Sequence, residues 1–196
     1  METLIHIFKF FFAVFTLPLL VAMTVSFGQE IEKFTFFDIA FKAGILAYVL
    51  VHFFVFPLKI VYNVGQKIMT TVFRFAPVLA NIVPLFVPFF TSIFLLAYWI
   101  TTKNHWHFLI EGYLAFFAGV SLAMHIILTA QSLREEDSNA AKTHYVFMMS
   151  WVYMVNLSLV IFVLSFVSRN ISVVKFWAST LMKARDIYLM LVRHLF

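Results

Sequence analysis

The segment that sets the architecture of this chain is HFFVFPLKIVYNVGQKIMTTVFRFAPVLANIVPLFVPFFT, at residues 52–91. It begins inside an apolar run, breaks at Pro57, and continues through a short basic segment at 58–74. It then enters a second apolar run that Pro77, Pro84 and Pro88 interrupt. Proline lacks a backbone N–H and breaks helices. The segment therefore predicts two membrane spans, joined by a helix that lies at the membrane surface or re-enters the membrane.

The composition of the whole chain is typical of a membrane protein. Of 196 residues, 63% are hydrophobic and 12% are charged, and the mean hydropathy is +0.97. Soluble domains carry about a quarter charged residues and under half apolar ones. Lipid must therefore be the solvent for most of the chain. We predict an all-α, polytopic transmembrane helix bundle, in a membrane that the sequence does not identify.

Charge and cysteine usage narrow the classes of partner and chemistry. The chain has no cysteine, which excludes disulfides, thiolate metal sites and cysteine nucleophiles. Its net charge is +5, but the basic residues lie at span ends without forming a cluster. We therefore predict no nucleic-acid partner, and expect these cations to meet anionic lipid headgroups.

The apolar runs predict about five spans, or six if 58–74 also crosses. A span needs about 20 apolar residues to cross a core of roughly 30 Å. The first run exceeds a typical signal-peptide core and no small-x-small cleavage site follows, so we interpret it as a retained span. Lysine and arginine are divided too evenly between the two sides to indicate an orientation. The predicted spans are 4–27, 36–57, 75–100, 108–130 and 145–168, with a polar loop at 131–144.

The span at 108–130 is predicted to lie at the centre of the bundle. Gly112, Ala115 and Gly119 form a small-residue face, which lets another helix approach closely in lipid. A second, more polar stripe follows helical spacing on the same span. Its members are Glu111, Ala118, Ser121, His125 and Thr129. In the last span, the polar residues expected to face other helices are Ser150, Tyr153 and Asn156.

The tail, 171–196, is predicted to be an amphipathic helix that accompanies a single bundle domain at 1–170. Its polar stripe is narrow and its apolar side is wide, which is typical of a helix lying in the membrane interface. Part of the wide apolar side could instead dock on another protein. The interface residues that we expect are Lys175, Trp177, Lys183, Arg185 and Arg193.

Histidines inside the predicted spans are candidates for chemistry, because ionisable groups are costly in a membrane. His52 and His125 lie near the ends of two spans that run in the same direction, at similar depth. A b-type haem with two histidine ligands needs this geometry. A neutral histidine that bonds a hydroxyl or a backbone carbonyl is the interpretation we prefer. His105 and His107 flank Trp106, and this loop suits an interfacial anchor better than a metal site.

The order of motifs at about 45–165 resembles that of the site-2-protease-like membrane zinc metallopeptidases. An aromatic-rich span ends in F-x-x-F-P and is followed by Tyr62 and Gly65. A proline-broken span that follows Asn81 comes next, and then a G-x-x-x-A-x-H span and an acidic loop. In that family the segment after the tyrosine reads G-H-E-x-x-H, and a later aspartate completes the zinc site.

This resemblance assigns Gln66 to the position of the first histidine and Lys67 to that of the general-base glutamate. Thr70 takes the position of the second histidine, and Asp137 matches the third ligand. Zinc needs imidazole or carboxylate donors, and a metalloprotease needs a base that activates water. The resemblance therefore implies a proteolytically inactive relative without bound metal, which grips a transmembrane segment or holds a complex together.

The motifs of several enzyme classes are missing from the sequence, including the nucleophile elbow, the phosphate loop, the dinucleotide fingerprint and H-E-x-x-H. We expect a non-catalytic integral membrane protein without a cofactor, acting as an accessory or scaffolding subunit. Its partners would be the lipid bilayer and other membrane-protein subunits or copies of itself. Three alternatives stay open: a haem b subunit that uses His52 and His125, a metal-dependent hydrolase with a divergent site, and a small-solute transporter.

Overall fold

The computed structural model describes residues 2–54, 58–104, 108–136, 142–168 and 170–195. Within them the chain forms eight helices and no strand, which confirms the all-α prediction. The helices are α1 (Glu2–Ile31), α2 (Thr35–Phe54), α3 (Lys59–Val72), α4 (Pro77–Phe86), α5 (Phe89–Lys103), α6 (Phe108–Glu136), α7 (Lys142–Val167) and α8 (Val173–Leu195).

Three described helices are long and apolar enough to cross a membrane, namely α2, α6 and α7. The pair formed by α4 and α5 adds a fourth, although the two are bent by 71° at their junction. The helix α1 has 30 residues, and its apolar part with described side chains is Phe15–Ile31. The helix α3 has 14 residues, about 21 Å at 1.5 Å per residue, which is shorter than the apolar core of a bilayer.

The helix α6 extends six residues beyond the span predicted at 108–130. The sequence placed 131–144 in a polar loop, but α6 continues to Glu136. The added turn reads Gln, Ser, Leu, Arg, Glu and Glu, most of which are good helix formers. Polarity alone therefore misplaced the end of this helix, since a helix can continue beyond an apolar core.

The centre of the bundle is a close contact between α2 and α6. A Cβ added to Gly44 would lie 2.0 Å from the carbonyl oxygen of Phe116, and one added to Gly119 would lie 2.1 Å from that of Phe41. His52 at the end of α2 contacts Gln131 near the end of α6, so the two helices run in the same direction. The predicted small-residue face of α6 is confirmed, because helix backbones approach this closely only at small residues.

The helices pack in two groups. One consists of α2, α5 and α6, and the other consists of α1, α7 and α8. The helix α5 packs antiparallel on α6, since Thr91 bonds Ser121 and the ring of Phe94, about one turn later, stacks on that of Phe117. The helix α7 packs on α1 and also contacts α5. The helix α8 runs back along α1, where Phe176 and Thr180 are fully buried.

The helices α3 and α4 form a hairpin that brings the 52–91 segment back to the bundle. Lys59 at the start of α3 pairs with Glu135 of α6 at 3.0 Å. One α-helical turn later, Tyr62 bonds Thr129 at 3.0 Å, so α3 runs antiparallel to the last turns of α6. The helix α4 starts at Pro77, where proline's missing N–H costs little because N–H groups in the first helical turn have no acceptor within the helix.

Candidate functional site

The candidate site is the junction between α4 and α5. The helix α4 ends at Phe86, and Val87 and Pro88 are extended before α5 begins at Phe89. In a continuous helix, the carbonyl of Pro84 would accept from the N–H of residue 88, but Pro88 has none. The bend also leaves the carbonyl oxygens of Leu85 and Phe86 without a backbone donor. Among the described residues, no backbone N–H beyond the junction bonds either oxygen.

Three side chains from three different helices satisfy these carbonyl oxygens. Gln66 of α3 donates to the carbonyl of Pro84 at 2.8 Å. The imidazole Nε2 of His125 lies 3.2 Å from the carbonyl of Leu85, which requires the proton on Nε2. Asn156 of α7 donates to the carbonyl of Phe86 at 3.1 Å, and also to Val152 of its own helix. We call these three donors and three carbonyls the carbonyl cluster.

An unpaired carbonyl in an apolar environment costs about 1–3 kcal/mol or more. Water cannot supply the missing bond inside a bilayer, so irregular backbone there must be satisfied by protein. His125 and Asn156 are both buried, with exposed fractions of 4% and 0%. The carbonyl cluster therefore stabilises a broken helix among buried groups, where an unpaired carbonyl would otherwise be costly.

The space beside the carbonyl cluster is small. A cavity of about 10 Å³ lies against Gln66, Ser121 and His125. A cavity needs at least about 10–15 Å³ to hold a single water molecule. The hydroxyls around it are already paired, Tyr62 with Thr129 and Ser121 with Thr91. This arrangement can donate hydrogen bonds and orient one water, but it offers no room for an organic substrate.

Of the described positions that the protease resemblance matched to the zinc motif, Gln66 belongs to the carbonyl cluster, and Lys67 and Thr70 do not. Lys67 is exposed on α3. Thr70 donates to the carbonyl of Gln66 within the same helix, at 2.9 Å. Asp137 lies outside the described residues, as does the 105–107 loop.

The two candidate haem ligands have separate hydrogen-bond partners. The Nε2 of His52 lies 3.1 Å from the side-chain nitrogen of Gln131, and its ring is 5.8 Å from that of Tyr48. His125 bonds Leu85 instead, as described above. An iron ion that took either Nε2 would have to displace the existing bond. Within the described ranges, no three His, Asp or Glu side chains are grouped so that they could hold a metal ion.

The predicted interface residues of the tail fall on different sides of α8. Lys183 faces α1, where it donates to Ser26 at 3.0 Å and Gln29 at 2.7 Å. Trp177 packs against the cluster of buried apolar side chains that includes Ile171 and Phe176. Arg185 pairs with its neighbour Asp186 at 2.9 Å. Lys175 and Arg193 are exposed.

The side chains of the carbonyl cluster stand out in the sequence, but the groups that they bond do not. Asn156 was predicted to face other helices, and a hydroxyl or a backbone carbonyl was the preferred partner of His125. The missing signal was the spacing of Pro84 and Pro88. A proline four residues after another residue removes the N–H donor that would serve that residue's carbonyl.

In comparisons with known proteins, no family model, no curated protein and no solved structure matches this chain.

Proposed function

We propose that this chain is a multi-pass integral membrane protein that acts without catalysis, as an accessory or scaffolding subunit of a membrane complex. The observation that carries the proposal is the carbonyl cluster. Gln66, His125 and Asn156 each donate to a carbonyl of the α4–α5 junction, and only about 10 Å³ of free space lies beside them. The buried groups best suited to chemistry are thus used to stabilise the backbone.

Helix directions support a five-span arrangement that consists of α1, α2, the α4–α5 pair, α6 and α7. Successive spans must alternate in direction across a membrane. The helices α2 and α6 run parallel to each other, and α5 runs antiparallel to α6. The helix α1 runs parallel to α7, since Thr16 bonds Ser150 and Thr24 bonds Tyr153. In this arrangement α3 lies in the interface, because its outer side carries Ile60, Val64 and Ile68 beside polar residues.

The outer side of α8 is the proposed contact with a partner subunit. Leu181 is 58% exposed and Leu189 is 48% exposed, and basic residues flank them. Deleting α8 would be a poor test, because Phe176 and Thr180 are buried against the rest of the chain. Substitutions on the outer side alone leave that packing intact.

The test is purification of the full chain from native membranes after cross-linking, in a mild detergent. We expect a membrane partner at a constant ratio to the chain, and its loss in the double variant Leu181→Gln/Leu189→Gln. The matched control, Leu181→Ile/Leu189→Ile, keeps the surface apolar and should retain the partner. A wild-type chain that is recovered alone, or a partner that survives the glutamine pair, would contradict the proposed contact.

A small-solute transporter is the second candidate, and the broken α4–α5 span favours it. Transporters commonly bind substrates at discontinuous helices near the middle of the membrane. Proteoliposomes that contain the purified chain would take up solute faster than protein-free vesicles if this candidate were correct. No difference in flux would favour the scaffolding proposal.

The haem, divergent-hydrolase and inactive-protease hypotheses stay predictions, and one preparation addresses the first two. We expect purified protein to be colourless and to contain no stoichiometric metal by elemental analysis. A Soret absorbance band that disappears in His52→Ala would contradict the non-catalytic proposal, as would bound zinc.

A further inference from the structure

An apolar crevice separates the two groups of helices on one side of the bundle. The helices α1 and α2 form its rims, and α6 and α7 form its floor. Its volume is about 360 Å³, which lies in the range of pockets that hold small ligands, about 300–1,000 Å³. The apolar residues that line it most deeply are Phe27, Ile31, Leu122, Ala123 and Leu157.

The crevice follows the helix axes and has a polar group at each end. On α2 it extends from Lys42 to Val49, which is about 10 Å at 1.5 Å per residue. At the far end the hydroxyls of Thr24 and Tyr153 are paired at 2.8 Å. On the α1 rim, a Cβ added to Gly28 would have no atom within 4 Å, so this wall is open.

The mouth of the crevice carries charges of both signs. Lys42 lies 2.8 Å from a carboxylate oxygen of Asp38 and 3.5 Å from one of Glu32. Two carboxylates and one ammonium leave a net charge of −1 at the mouth. The side chains of Lys42 and Glu32 are 49% and 63% exposed, so each can meet a second partner. Such an exposed ion pair is weak and easily exchanged.

We propose that this crevice binds one acyl chain of a phospholipid that carries an ethanolamine headgroup, an inference that rests on the proposed membrane location. The lipid phosphate accepts from Lys42, and the headgroup ammonium donates to Glu32. An empty crevice that opens toward acyl chains would forfeit van der Waals contacts, and a lipid chain restores them. The net −1 charge selects against purely anionic headgroups, and choline has no N–H to donate to Glu32.

The test uses the full chain reconstituted in vesicles of equal parts phosphatidylethanolamine, phosphatidylcholine and phosphatidylglycerol. After mild detergent extraction, native mass spectrometry counts the lipids that each chain retains. We expect one phosphatidylethanolamine per chain. Gly28→Leu should fill the crevice and lower retention about tenfold, because the added bulk and a lipid chain cannot share the space. The control Ala43→Leu adds bulk to an exposed position of α2 outside the crevice and should change nothing.

The headgroup assignment has its own variant. Glu32→Gln should lower the preference for phosphatidylethanolamine over phosphatidylcholine about two- to fivefold, the range for an exposed ion pair. Total retention should stay constant, because the crevice itself is unchanged. Equal retention of the two lipids by the wild-type chain would overturn the headgroup assignment.

Failure of this inference is distinguishable from failure of the proposed function. A chain that resists carbonate extraction but retains no lipid, or whose Gly28→Leu variant retains as much as wild type, overturns the crevice inference alone. A chain that carbonate releases from membranes overturns the membrane location on which the inference rests.

Discussion

Replacing Gly44 with alanine should force α2 away from α6. The added Cβ would lie 2.0 Å from the carbonyl oxygen of Phe116 and 2.9 Å from its carbonyl carbon. Cβ atoms essentially never approach heavy atoms closer than 3.0 Å. Both neighbours are backbone atoms, so no side chain can rotate away and the helices must separate by about 1 Å, the difference between 3.0 and 2.0 Å.

Overpacking of this kind typically costs about 1–3 kcal/mol. Alanine recovers about 0.8–1 kcal/mol, because it is a better helix former than glycine. The expected net loss is therefore about 0–2 kcal/mol of unfolding free energy. Gly119→Ala meets the carbonyl oxygen of Phe41 at 2.1 Å and should cost a similar amount. Because either substitution alone separates the same two helices, the double variant should cost less than the sum.

The assay is reversible unfolding in mixed detergent micelles, followed by tryptophan fluorescence. Gly28→Ala is the matched control, since an added Cβ there has no atom within 4 Å. It should stabilise the chain by about 0.5–1 kcal/mol, the usual effect of removing a helical glycine. A Gly44→Ala variant as stable as Gly28→Ala would refute the close α2–α6 contact.

Two further variants can be measured in the same assay. Thr91→Val removes the 3.0 Å hydrogen bond to Ser121, and Ser121 keeps its bond to the carbonyl of Ala118. The unfolding free energy should fall by about 1 kcal/mol. A fall above about 3 kcal/mol would show that more than one bond depends on Thr91. Lys59→Gln breaks the ion pair between Lys59 and Glu135, whose side chains are 48% and 68% exposed, respectively. The unfolding free energy should change by less than about 1 kcal/mol. A larger change that persists at high salt would contradict a surface ion pair.

Composition and residue spacing were enough to predict the all-α class and the central position of α6 in the bundle. One face of α6 carries the small residues Gly112, Ala115 and Gly119, and this face is the one that another helix approaches. Such a face can be identified from the sequence because its spacing lies within a single helix. Apolar runs likewise placed the described helices to within a few residues. The exceptions were α1 and α6, which continue to Ile31 and Glu136, past the spans predicted at 4–27 and 108–130, since a helix can continue beyond an apolar run.

Contacts between distant helices could not be predicted in the same way. The donors of the carbonyl cluster lie 18, 40 and 70 residues from the carbonyls that they bond. No periodicity within a helix encodes such a pairing. The helix α8 shows the same limit, because the spacing of its polar residues Ser179 and Lys183 does not indicate what they bond. In the structure they bond Ser26 and Gln29 of α1.

The role of the carbonyl cluster can be measured through the unfolding free energy of His125→Phe. Phenylalanine fills a similar volume but leaves the carbonyl of Leu85 without the donor that His125 supplies at 3.2 Å. If His125 serves the backbone, the variant should lose about 1–3 kcal/mol, the cost of an unpaired buried polar group. Residues kept for chemistry often reduce stability, so removing one tends to leave stability unchanged or raised. A His125→Phe variant at least as stable as wild type would contradict a structural role for the cluster.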